Sequence, residues 1–229
     1  ESTWKTRQRA YHKQKLALVL SSQRHFALEL QALGVAVRYR ISEDSPATVL
    51  LAETEVLGPI QMMEPAEREL RVHLAPLTTQ GLLHIHKHGG WLTEMADFEA
   101  ATEGRAAWRM DAFYRQVRRR YGWLMETTGK PTGGRWSFDS ENRQPWRGDP
   151  PAPEPPIFSA DAITQEVVDL VERKFADHPG EADASRIPGS IEDVERLWAW
   201  VMKRCMPSFG PFEDAMSTDS LQLFHTRIS

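Results

Sequence analysis

The chain has 229 residues, 41% of them hydrophobic and 26% charged, with a formal net charge of −4. This is the make-up of an ordinary globular protein of one large domain or two small ones, and no apolar run approaches the ~20 residues a membrane helix needs. The single cysteine, Cys205, excludes an internal disulfide and any multi-cysteine metal site within the chain, so no metal ligand set is expected and the cytoplasm is the default location.

The charge is unevenly spread. Residues 1–40 hold eight Lys/Arg against two acids, a net +6, and residues 105–147 hold ten against four, again +6. Residues 149–183 hold nine acids against two bases, a net −7. The overall sign argues against a nonspecific nucleic-acid binder, but two basic segments can build a polarised surface that meets phosphates. Equally, the segments can neutralise one another in the fold, and both readings stay open at this stage.

The opening residues, Glu1 to Arg9, are polar and basic and do not form a signal peptide. Apolar residues at 16, 19, 20, 26, 27, 30 and 33 then predict a helix from His12 to Leu33, closed by Gly34. Val35 to Ile41 alternates with period two and predicts a strand. Ser45-Pro46 starts a short helical stretch through about Val56, and Gly58 to Met63 reads as a second strand. Pro65 is placed at the start of the next helix, with Glu67 and Glu69 in its first turn. That helix buries Leu70, Leu74 and Leu77, and Pro76 marks a kink or an early end. Leu82 to His88 is a third strand, with His84, His86 and His88 on one face. Metal ligands can be so spaced, but no Cys or carboxylate stands beside them, and solvent-facing histidines are the simpler account. Helix and strand alternating through short connections predict an α/β fold with a parallel sheet.

After Gly89-Gly90 the pattern is helical. Trp91 to Ala101 forms a short helix, and Ala107 to Met125 a long one burying Met110, Phe113, Tyr114, Val117, Tyr121 and Leu124. Arg115, Arg118, Arg119 and Arg120 lie on its opposite face, either solvated or available to phosphate. Residues 129–134 only superficially resemble a phosphate loop, lacking its Gly-Lys-Ser/Thr ending and preceding strand. The stretch Gly133-Gly134-Arg135-Trp136-Ser137-Phe138-Asp139-Ser140-Glu141-Asn142-Arg143 combines glycines, large aromatics and close-set charges. It is built as a fixed loop, either a structural pin between domains or the border of a ligand or nucleic-acid site. Pro145 to Pro156 is a proline-rich extended strap. Helices follow at about Ala160–Phe175 and Ile191–Cys205, the second capped by Ser190. Trp198 and Trp200, two apart, cannot share a helix face, so one of them is expected to meet a partner element.

Four stretches, in order and across essentially the whole chain, carry a resemblance: His12-Lys13-Gln14-Lys15 with Ser21 to Phe26, Arg109 to Arg115, Gly133 to Arg143, and Phe209 to Ser229. In these the chain resembles the photolyase-related branch of the photolyase/cryptochrome superfamily, a bacterial group that carries an iron–sulfur cluster. The resemblance implies a Rossmann-like α/β antenna domain over residues 1–90, its first strand and Gly-Asp-Gln-Leu-like turn lying before Glu1. A helical connection and interdomain loop follow over 91–158, and the start of an all-helical FAD-binding domain over 159–229.

It further implies a soluble monomer that acts on damaged DNA. Light-excited reduced FAD donates an electron to a flipped-out pyrimidine lesion, either a (6-4) photoproduct or a dimer. A lumazine-type antenna chromophore would sit in the α/β domain, and the cluster cysteines would lie beyond Ser229, Cys205 matching none of them. His225-Thr226-Arg227-Ile228-Ser229 matches the family's flavin-diphosphate element, which makes Thr226, Arg227 and Ser229 the implied cofactor ligands. Arg115, Arg118, Arg119, Arg135, Arg143, Asp139 and Glu141 are candidates for interdomain or DNA-side contacts, and no catalytic residue is assigned. A cryptochrome-like photoreceptor and a non-catalytic nucleotide-binding or scaffold module are the alternatives. Alone, this stretch of chain is expected to be colourless and inactive.

Overall fold

The computed structural model describes residues 1–103 and 109–226. In chain order its main elements are α1 (Lys13–Ala32), α2 (Pro46–Leu57), β1 (Ile60–Met63), α3 (Arg68–Thr79), β2 (Leu83–His86), α4 (Met95–Thr102), α5 (Met110–Tyr121), α6 (Ala162–Lys174), α7 (Ile191–Trp200) and α8 (Met206–Phe209). The chain divides into two compact units, one comprising Glu1–Glu53 with the chain from Glu141 onward, the other Thr54–Ser140.

The first unit is centred on α1 against α6. Leu16, Ala17 and Leu20 from α1 interlock with Val167, Val168 and Val171 from α6, and Phe175 and Ile187 close the cluster. Spacings of three and four put each set on one face. Helix α1 begins at His12, whose imidazole accepts the Gln14 N–H at 3.1 Å, and ends before Gly34, which takes a left-handed φ of +83°. Helix α6 begins at Asp161, whose carboxylate accepts the Thr164 N–H at 2.7 Å. The segment before α1 is stitched to the segment after α6: the Lys13 N–H donates to the Pro179 carbonyl at 2.9 Å, and His178 meets the Tyr11 carbonyl at 3.0 Å. Lys13 pairs with Glu172 at 2.7 Å, and Arg24 with Glu166 at 3.1 Å. For these residues the basic opening and the acidic segment do neutralise each other.

Val35 to Ile41 forms no strand. Among the described residues its ladder is confined to its end, where Ser2 and Ser42 form an isolated parallel bridge. The Thr3 N–H donates to the Ser42 carbonyl and the Ser42 N–H to the Glu1 carbonyl. Alternation reports a backbone's shape, whereas a strand also needs a neighbour along its length.

Helix α7 is capped by Ser190, whose hydroxyl accepts the Asp193 N–H at 3.2 Å, as expected. It ends sooner than predicted, at Trp200, and Val201–Cys205 continues as a π-helical turn. Trp198 is exposed and Trp200 partly buried. The prolines from 145 to 156 form no regular element, and the Trp146 indole donates to the Pro150 carbonyl at 2.7 Å.

The second unit holds a two-stranded parallel sheet, β1 paired with β2 in the register Ile60↔Leu83 to Met63↔His86, with α3 as the crossover. Leu74, Leu77 and Leu83 are its buried apolar anchors, and Leu70 is only half-buried. Helix α3 starts at Arg68 with Glu67 at its N-cap, three residues later than the Pro65 start expected. Pro76 lies within the helix, which runs on to Thr79 instead of ending early. His84, His86 and His88 are exposed, and the His86 ring meets the Gln61 side chain at 2.9 Å. Phe98 of α4 meets Phe113 of α5 edge to face, their centroids 5.4 Å apart.

The α1–α6 cluster predicts a clear hierarchy of stability. Leu20→Ala should cost about 3 kcal/mol through lost burial and a residual cavity, whereas Leu33→Ala, at 80% exposed, should change stability by less than about 0.5 kcal/mol. Urea denaturation of the two variants tests this, and equal midpoints would refute it.

Candidate nucleic-acid interface

Helix α5 and the loop after it bring three arginines onto one tryptophan. The guanidinium carbons of Arg115, Arg118 and Arg119 lie 5.7, 5.2 and 4.7 Å from the centre of the Trp136 ring. These positions fall within two turns of α5, so their long side chains converge. The tryptophan reaches them because Gly133 and Gly134 both take φ of +77°, which turns the chain sharply before Arg135. At Gly133 a Cβ would sit 2.8 Å from the Phe138 ring, so a side chain there would have to push that ring aside as well as adopt a left-handed backbone. Arg135 in turn stacks over Phe138, 4.2 Å from its centre.

The arginines differ in environment. Arg118 is 6% exposed, so it departs from the solvated face expected of it. It donates through Nε to the Trp123 carbonyl at 3.2 Å and through a second nitrogen to the Leu124 carbonyl. Both carbonyls lie just past the end of α5, where Gly122 closes the helix with φ of +67°. A guanidinium suits this place: carbonyl oxygens at a helix C-terminus need donors, and its flat faces stack on aromatic rings. Met110, Tyr114 and Leu124, expected inside, are exposed instead, at 66%, 46% and 65%. The apolar face of α5 is therefore only partly covered within this unit, while one arginine of the other face is buried by Trp136.

Arg119 is exposed and stacks on Trp136. Arg115 is half-buried and pairs with Asp111 at 3.0 Å, one turn earlier. Arg120 pairs with Asp97 at 2.7 Å. The Glu94 N–H and the Arg120 bond hold the Asp97 carboxyl below the usual carboxylate range. Tyr121 and Trp123 stack at 5.1 Å and continue the aromatic surface. Exposed guanidiniums beside flat rings are the ingredients of a surface that can meet phosphates and stack on bases.

The predicted loop crosses from one unit to the other between Ser140 and Glu141. In the second unit the Asp139 N–H donates to the Ser137 hydroxyl at 3.3 Å. In the first unit Asn142 donates to Glu213 at 2.8 Å and Arg143 pairs with Asp214 at 3.2 Å. Backbone bonds from Gln144 to Pro211 and from Asp214 to Asn142 complete a short seam. Glu141 is exposed at the start of that seam. Thus Asp139 and Arg135 belong to one unit's turn, and Arg143 to the other unit's seam.

Of the implied cofactor ligands, Arg227 and Ser229 lie outside the described residues. Thr226 follows Phe224, which stacks on Phe212 at 5.5 Å. Its hydroxyl donates to the Leu223 carbonyl at 2.7 Å and accepts the Leu223 N–H at 2.8 Å. In this arrangement the Thr226 hydroxyl is held by its own turn.

The family model of "Deoxyribodipyrimidine photo-lyase-related protein" matches residues 1–187, which take in the α5 cluster and the whole glycine-led loop. The chain belongs to that family. It is 36% identical over 228 residues to a "(6-4) photolyase" of Agrobacterium fabrum (strain C58 / ATCC 33970), an alignment covering 96% of this chain and 45% of that protein. The chain therefore spans about half the length of the curated relative it matches.

One polar group escaped the sequence reading. Ser21 and His25 of α1 meet Asp161 and Thr164 at the start of α6. Ser21 and His25 stand four apart, one above the other on a helix, and Asp161-x-x-Thr164 is a helix-start pattern. The signal was present in two places, but nothing in the sequence joins them across some 136 residues.

The different settings of neighbouring arginines make a testable contrast. Arg118→Ala removes charge-assisted bonds to two carbonyls and should cost about 2–4 kcal/mol, and Lys at 118 should not restore it, because one ammonium cannot span both. Arg119→Ala should stay within about 0.5 kcal/mol of the parent. Guanidinium chloride midpoints decide, and equal losses at 118 and 119 would contradict the assignment.

Proposed function

We propose that this chain is part of a cytoplasmic, light-driven DNA photolyase that repairs a pyrimidine lesion, the (6-4) photoproduct first among candidates. The observation that carries the reading is the 36% identity to the Agrobacterium (6-4) photolyase over nearly the whole chain. In this reading residues 1–90 serve as a Rossmann-like antenna region, 91–158 as the connection, and 159–229 as the opening of the FAD-binding region. These are divisions of role, since α6 packs on α1. One parallel β–α–β passage, β1 to β2 around α3, supports the antenna assignment, and the isolated parallel bridge between Ser2 and Ser42 spans α1 in the same sense.

Reduced FAD, when bound, supplies the light-driven electron. A lumazine-type antenna in the α/β region and an iron–sulfur cluster belong to the same proposal. This chain's own contribution is to shape the DNA-side surface. Arg119 presents an exposed guanidinium from α5 against Trp136, and the buried Arg118 packs on the same ring. Phosphate neutralisation by such a side chain strengthens binding without reading sequence.

The full-length protein with reduced flavin, given DNA bearing a (6-4) photoproduct under blue light, should restore the two pyrimidines. If it restores neither that lesion nor a cyclobutane dimer while its flavin still photoreduces, the protein is a light sensor instead. Arg119→Ala should weaken DNA binding several-fold and lower the slope of log affinity against log salt by about 1. An unchanged slope would remove Arg119 from the interface.

A further inference from the structure

The polar group that joins α1 to α6 has chemistry of its own. His25 Nε2 lies 2.6 Å from Asp161 Oδ2, and His25 Nδ1 lies 2.8 Å from the Ser21 carbonyl oxygen. A carboxylate and a carbonyl can only accept hydrogen bonds. Each ring nitrogen must therefore donate, and an imidazole that donates from both nitrogens is the imidazolium cation. The Ser21 hydroxyl is a longer 3.4 Å from Nδ1 and closer to Thr164, at 3.1 Å. It completes the group without competing for the ring.

We infer that His25 is an imidazolium clamp, which fastens the first turn of α6 and the approach to α7 onto α1 and releases them when it loses a proton. The clamp is independent of the functional reading above. Asp161 serves it twice, since its Oδ1 caps the Thr164 N–H while its Oδ2 takes the His25 proton bond. The residue before the α7 cap takes part as well. A Cβ on Gly189 would lie 3.1 Å from His25 Cε1 and 2.8 Å from the Thr164 hydroxyl, so the chain passes directly against the ring. Ser190, the α7 cap, is next in sequence.

The charged groups acting on the ring are both negative: Asp161 at the start of α6, and Glu29 one turn further along α1. Burial works against the charged ring, but the Asp161 bond, the Ser21 carbonyl and the two carboxylates outweigh it and raise its pKa above the ordinary 6.5. Burial likewise raises Asp161, yet the Thr164 N–H and His25 hold its carboxyl below the usual range. The linkage follows in sign. The stability His25 contributes is fully present below pH 6.5, the ordinary value, and is lost as pH rises through its higher folded pKa. The stability Asp161 contributes is present above the ordinary carboxylate range and is lost as pH falls through its lowered value. A neutral ring keeps one N–H, so either Asp161 or the Ser21 carbonyl then faces a bare nitrogen lone pair. The clamp thus holds at acidic pH and releases as pH rises through the raised His25 value.

The test compares thermal melting of the parent protein and His25→Gln from pH 5.5 to 9. Glutamine offers a neutral amide donor in place of the cation. The melting-temperature gap in favour of the parent should be largest near pH 6 and shrink as pH passes the His25 pKa. Proton NMR of the parent's imidazole resonances, assigned from the variant or by selective labelling, should give His25 a midpoint above 6.5. Exchange of the Thr164 amide should accelerate over the same pH range. A gap that is constant in pH, or a midpoint at or below 6.5, overturns the clamp. Should His25→Gln fail to fold, the parent's midpoint and amide exchange decide alone.

Discussion

The first unit depends on one contact: two helices more than a hundred residues apart in sequence, α1 and α6, interlock through small and branched side chains. Ala17, Val167 and Val171 are fully buried at the seam, which brings the two backbones close. That closeness sets what surrounds it. Lys13 can reach Glu172, Arg24 can reach Glu166, and Gln14 can exchange hydrogen bonds with the backbone of Asp183 because the helices have already met. Apolar burial supplies the driving force, and the pairs, each joining a largely buried base to a more open carboxylate, follow from it. The partly buried His25–Asp161 contact is a different case, because it ties a charge to a helix start inside the same seam.

A related economy governs the α5 region in the second unit. An aromatic ring and a buried guanidinium hold the turn that the two glycines permit. Arg118 satisfies carbonyls at the helix end and stacks on Trp136, so one side chain closes the helix and seats the loop. Its neighbours Arg115 and Arg119 touch the same ring from more open positions. Adjacent arginines in a run thus divide between framework and surface, a division that composition cannot express.

Much of the local architecture was legible in the sequence. Helix α1 as an element, its Gly34 stop, the Ser190 cap and the β1–α3–β2 crossover follow from periodicity and helix-end chemistry, which act over a few residues. Of the predicted α1 stripe, Leu16 and Leu20 are buried but Val19, Phe26 and Leu33 are exposed. What failed has a common cause. Val35 to Ile41 has the alternation of a strand, but among the described residues its bridge is limited to Ser2 with Ser42 just past its end, and Arg118 has the charge of a surface residue but Trp136 above it. In each case a distant partner decides, and a one-dimensional pattern holds no record of it. Pro76 shows the reverse limit, a helix breaker carried through because α3 keeps Leu74 and Leu77 buried on either side. At the candidate site the sequence located the arginines and the loop but not which guanidinium was buried. The His25–Asp161 link was illegible for the same reason.

The pairing of the opening basic segment with the acidic segment bears on how the molecule looks from a distance. The +6 of residues 1–40 faces the −7 of residues 149–183 within one unit, and partners such as Lys13–Glu172 and Arg24–Glu166 hold the opposite charges together. Beyond a screening length of about 8 Å at physiological salt, such pairs present dipoles that decay quickly. The +6 of residues 105–147 has four acids among its own residues and is already net of them. Within the unit Thr54–Ser140, however, eleven Lys/Arg meet eleven Asp/Glu, and Arg120 is held by Asp97, so that unit carries no net positive charge of its own. Attraction for an anion is therefore a short-range matter, confined to exposed guanidiniums such as that of Arg119, and it fades within a screening length.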